Sequence, residues 1–186
     1  MLAYVFWHWP QANVDTETYV AHLLSFHRTL AANKPNGFQH SVVFRIEHAN
    51  WLDTTGPAYE EWYLLDDSAA MDHLNDAAVS GACEEPHNRV AREAAGGIGG
   101  LYRLRSVKEA LSEARFAVWM AKPDGVSYRD FYDALTSLTS QPNVALWGRQ
   151  MTLGPTTEFC LHSQTPVQLP PGYTGRQIQL TPLIGR

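Results

Sequence analysis

The stretch AYVFWHWP at residues 3–10 recurs in outline as FAVWMAKP at residues 116–123. Each is an apolar, aromatic run of strand character, stopped by a proline that cannot donate to a sheet ladder. Each leads through a polar gap into a short helical pattern, from Asp15 to Leu23 in the first copy and from Ser127 to Leu135 in the second. EWYL at residues 61–64 is then echoed by EFCL at 158–161, which pairs Trp7 with Met120 and Glu61 with Glu158 over a shortened second span. Such a repeat constrains the fold strongly: a half that cannot bury its own sheet can do so against its twin.

The pattern divides the chain into a first unit at residues 1–106, a charged helical linker at 107–114 and a second unit at 115–186. In the first unit, residues 4–9 read as a buried strand. Asp15 or Thr16 caps a helix whose apolar face is Tyr19, Leu23, Phe26 and Leu30. Strands follow at 38–47 and 59–65. Ser68 is the expected cap of a second helix over 69–79, with Met71, Leu74 and Ala78 inward. Pro86 suits the first turn of a further helical piece, and Gly96 to Gly100 reads as a flexible turn into a strand at 101–105. The order strand, helix, strand, strand, helix, strand is the split βαβ arrangement of ferredoxin-like units. The second unit gives a strand at 115–122, a helix at 128–138, and strands at 144–153, 157–163 and 177–181. Where the first unit has its second helix, residues 165–173 carry Pro166, Pro170 and Pro171 and make a very poor helix. The expected fold class is therefore α+β: two ferredoxin-like repeats forming a barrel, the second lacking its second helix.

Composition narrows the partners. A net charge of −5 supplies no basic footprint for nucleic acid. No apolar run approaches the roughly 18 residues of a membrane helix, and no secretory leader pattern opens the chain. Cys83 and Cys160 sit one in each half without metal-type spacing, so free thiols and a cytoplasmic location are expected. No His, Cys and carboxylate cluster has zinc spacing; His22 and His27, five apart, do not share a helix face. The glycine run leads into a strand rather than out of one, the reverse of a dinucleotide loop.

YVAHLLSFH at residues 19–27, followed by PNGF at 35–38, resembles the dimeric α+β barrel superfamily, which includes EthD-like proteins, antibiotic-biosynthesis monooxygenases and heme-degrading monooxygenases. The resemblance implies a barrel closed from two sheets, usually those of two subunits. Here one chain could supply both, and pairing of chains into a homodimer stays open. It also implies a small apolar or aromatic ligand of polyketide type and an enzyme that works without metal or flavin. His27 matches the late-helix histidine of that pattern; His27 or His8 would then move a proton near neutral pH. His8 lies in an otherwise apolar strand, so it is either partnered in the core or faces the cavity. Phe6 shares its face, and the expected pocket is bounded by Phe6, Phe44 and Trp62 in the first half. Two other classes remain: a heme enzyme with His87 or His27 on the iron, and a non-catalytic binding or structural barrel.

Overall fold

A computed structural model describes residues 1–47, 49, 51–54, 56–106, 111–152 and 157–184. The first half comprises β1 (Leu2–Pro10), α1 (Thr16–Ala32), β2 (Phe38–Ile46), β3 (Ala58–Leu65), α2 (Ala69–Ala78), a single 3-10 turn (Gly81–Cys83), α3 (Glu84–Glu93) and β4 (Ala94–Leu104). The second comprises β5 (Phe116–Met120), α4 (Tyr128–Thr139), β6 (Val144–Thr152), β7 (Phe159–Ser163) and β8 (Gly175–Ile184), with irregular chain where the prolines cluster. The first half of the expected linker, residues 107–110, lies outside the described residues.

The strands close into an antiparallel barrel in the order β1-β3-β2-β8-β5-β7-β6-β4. Within each half the strand order is the same, fourth, first, third, second. The halves are sewn together at two seams, β2 against β8 (Ile46 opposite Leu180) and β4 against β6 (Leu104 opposite Trp147). Closure leaves no free edge to template association.

Because side chains alternate along a strand, each strand serves two cores. Inward-facing Trp7, Trp62, Trp119, Trp147, Tyr102 and Phe44 fill the barrel, with Trp62 and Trp147 ring centres 5.1 Å apart. Outward-facing residues pack under the helices: α1 and α2 cover the first half, and α4 covers Val118, Met120, Leu146, Phe159 and Leu161 in the second. The pairing of Trp7 with Met120 is thus out of phase by one strand position, since Trp7 points inward and Met120 outward. Glu158 precedes β7 and reaches Tyr128 on α4 instead of entering a core.

Two local expectations change. The glycine run is strand, not turn: Gly96, Gly97 and Gly99 belong to β4, and the aromatic side chains of β1 occupy the space that their side chains would take. A Cβ on Gly97 would stand 2.3 Å from Phe6 Cζ, and one on Gly96 2.5 Å from the Trp9 ring. The acceptor at the start of α2 is Asp67, which takes the Ala69 and Ala70 N–H groups, rather than Ser68. Asp15 caps α1 as expected, accepting from Thr18 N–H at 2.9 Å.

Candidate functional site

β3 is buried along its whole length, covered by the barrel core on one face and by helices on the other. Yet it carries two consecutive carboxylates, Glu60 and Glu61. Alternation sends Glu60 into the barrel and Glu61 out beneath α1. A buried charge requires partners, and both have them. Glu60 accepts from the indole N–H groups of Trp7 (2.8 Å) and Trp62 (2.7 Å), with His162 Nε2 at 3.7 Å.

Glu61 is held by His8, His27 and Tyr63. His8 Nε2 on β1 meets Oε1, while His27 Nε2 on α1 meets Oε2 at 3.0 Å and the Tyr63 hydroxyl donates to the same oxygen. Since a carboxylate only accepts, the ring nitrogens facing it carry hydrogen. Each outer nitrogen then faces a hydroxyl: His8 Nδ1 lies 2.5 Å from Tyr19 Oη, and His27 Nδ1 lies 2.7 Å from Ser41 Oγ. A hydroxyl can donate or accept, so either ring can take up a second proton without losing a hydrogen bond.

Burial by itself would raise the Glu61 carboxyl; the charges and hydrogen bonds of His8 and His27 outweigh it and hold the group well below the usual carboxylate range. The same burial, with the Glu61 charge added, pushes Tyr19 and Tyr63 above the ordinary phenol value. Both phenols therefore stay protonated and able to donate.

This network forms the floor of a cavity of about 410 Å³ roofed by α1, α2 and α3. Tyr4, His8, Tyr19, Glu61 and Tyr63 supply the polar floor, and Phe6, Leu23, Phe26, Leu74 and Val90 supply apolar walls. Of the residues singled out from sequence, Phe6, His8 and His87 line this cavity. His27 stands behind Glu61 rather than on the cavity surface. Phe44 and Trp62 face the opposite way, into the barrel, because their strand parity is that of Val42 and Glu60. Among the described residues the second half shows no counterpart under α4, where the corresponding cluster is apolar.

Two histidines and a carboxylate also make up a non-heme iron triad. Here, however, both histidines point their N–H groups at the carboxylate, and no His, Cys, Asp or Glu group among the described residues is placed to hold a metal. Heme fits poorly as well. Both nitrogens of His27 are engaged, and the cavity lining contains no Lys or Arg to receive the propionates. His87 alone remains as a ligand, half-buried with its ring edge-on to Phe26.

Glu61, Tyr19, Tyr63 and Ser41 were not found as site residues in the sequence. The available clue was a pair of acids inside an unbroken apolar and aromatic strand, which only buried partners could tolerate. Outside the site, Cys83 and Cys160 are both buried and unbridged. No helix is long and apolar enough to cross a membrane.

No family model and no curated protein matches this sequence. Among solved structures, the chain resembles the crystal structure of a "putative monooxygenase from Lactobacillus acidophilus NCFM". The TM-score is 0.61 at 11% identity, over 98% of this chain and 94% of that one. An "anthrone oxidase-like protein" aligns at a TM-score of 0.49 and 9% identity, over 97% and 91% of the two chains. At these identities the likeness is one of fold: the chain has the α+β barrel of a monooxygenase-like structure, with a polar-floored cavity in its first half.

Proposed function

We propose that this protein is a cofactor-independent oxygenase for a flat, weakly acidic aromatic compound of polyketide type, built from two fused ferredoxin-like units of which the first keeps the site. The observation that carries the reading is the buried Glu61–His8–Tyr19 chain on the floor of an otherwise apolar cavity. An ionised carboxylate behind an imidazole orients the ring and stabilises its protonated form, as in the relay of a hydrolase triad. His8 is the base. It receives the substrate proton through the Tyr19 hydroxyl, which gives up its own proton as it takes the new one. His27, fixed by Ser41, holds Glu61 in place, and Phe6, Phe26 and Leu74 keep water from the anion.

The chemistry then belongs to substrate and dioxygen. A ring CH₂ loses a proton to His8, and the carbanion adds O₂ to give a peroxide anion. That anion takes the proton back from His8, and loss of water leaves a carbonyl. One CH₂ and one O₂ become one C=O and one H₂O. The fold likeness supports the oxygenase class without naming the substrate.

The test is dioxygen uptake with anthrone and related CH-acidic aromatics. Uptake above the uncatalysed rate, falling about 100-fold or more in His8→Ala, is expected of a lost general base. Uptake equal to the uncatalysed rate, or unchanged in His8→Ala, contradicts the reading.

A further inference from the structure

The cavity has a second polar patch that the proton chemistry does not use. Its floor groups lie on β1, β3 and α1, whereas the roof contributes His87 from α3 and Asn75 from α2. Between them the walls are Leu23, Phe26, Met71, Leu74 and Val90, all apolar. A polar floor, an apolar middle and a polar roof describe a ligand with hydrogen-bonding groups at both ends.

The roof also says which group. The edge-on contact with Phe26, ring centres 5.7 Å apart at 65°, fixes the plane of the His87 ring. Its Nδ1 lies 3.3 Å from Asn88 Oδ1, an acceptor, so Nδ1 carries the hydrogen. Nε2 of the neutral ring is then a lone-pair acceptor that calls for a donor. Asn75 can donate and accept. Asn75 is exposed and His87 half-buried, so this end meets water; with no cation in the lining, a carboxylate or phosphate here would gain no ion pair. A neutral hydroxyl satisfies both side chains.

We propose that His87 and Asn75 select aromatic substrates that carry a second, neutral hydroxyl at the end remote from the reacting group. This rests on the reading that the acidic end lies on the Glu61 floor. Binding of 2-naphthol and of naphthalene-2,6-diol, measured by calorimetry under argon, separates the two ideas. The wild-type protein should bind the diol roughly five- to tenfold more tightly, the worth of one well-made neutral hydrogen bond. His87→Phe and Asn75→Leu should each erode that preference, read as the ratio of the two affinities within each variant. His8→Ala should weaken both ligands alike and keep the preference. Equal affinities in the wild-type protein, or a preference that survives both roof substitutions, overturn the proposal. If neither naphthol binds saturably, the floor reading fails and the proposal falls with it.

Discussion

At Glu61, desolvation competes with the charges and hydrogen bonds of its histidine partners, and the partners prevail. Replacing its carboxylate by an amide puts an N–H₂ where an acceptor is required, leaving His8 unsupported and a buried donor opposed to a donor. Glu61→Gln is therefore expected to lower turnover about 100-fold or more while the protein stays folded; activity within a few-fold of wild type would show that His8 needs no carboxylate. The same group makes stability pH-dependent. Its folded pKa is depressed, so its contribution is complete above the unfolded value of 4.5 and is lost as pH falls below it. Tyr19 and Tyr63 act oppositely: both are raised from 10.0, so the unfolded chain releases their protons first and stability declines as pH climbs past 10. Urea midpoints across pH should fall on both sides; Glu61→Gln should flatten the acid limb and, by removing the charge that adds to the tyrosine shifts, make the alkaline limb shallower. His8 and His27 could be picked out from sequence because imidazoles in apolar patterns stand out. Glu61 could not, because an acid beside another acid reads as solvent-facing until both faces of its strand are known to be buried.

At the scale of elements, helices and strands were legible wherever periodicity and caps agreed, as in α1 with its Asp15 cap and its buried Tyr19, Leu23, Phe26 and Leu30. They were misread where a residue's role depends on a neighbour distant in sequence. Gly96 to Gly100 look like a turn in isolation, yet they are strand, with Tyr4, Phe6 and Trp9 occupying the space of their side chains. Gly97→Ala should thus destabilise by about 1–3 kcal/mol through overpacking against Phe6, read as a lowered thermal midpoint, and should also crowd the cavity. At α2 the two candidate caps give opposite expectations. Asp67→Ala should cost about 1 kcal/mol and Ser68→Ala less than about 0.5 kcal/mol; the reverse order in denaturant titration would return the capping role to Ser68.

For the whole molecule, the repeat read from sequence anticipated a barrel, but not how its residues align, because one position of slip exchanges the inner and outer faces. The two seams make the halves interdependent. Residues 1–106 expressed alone would expose the edges of β2 and β4 and the tryptophan-rich inner face of the sheet. They are expected to dimerise or aggregate, and a stable monomer in sedimentation would contradict that mutual dependence. Division of labour between the halves follows from the same architecture. The outer face under α4 is sealed by apolar packing, whereas that under α1, α2 and α3 opens over a carboxylate–histidine network. The most direct test of that network is the spectrum of bound 4-nitrophenol, whose phenol and phenolate absorb at different wavelengths, titrated at a pH where the free ligand is mostly neutral. The wild-type protein should bind it as the phenolate and His8→Ala as the neutral phenol; a neutral ligand in the wild-type complex, or the same spectrum in both proteins, would contradict proton transfer to His8.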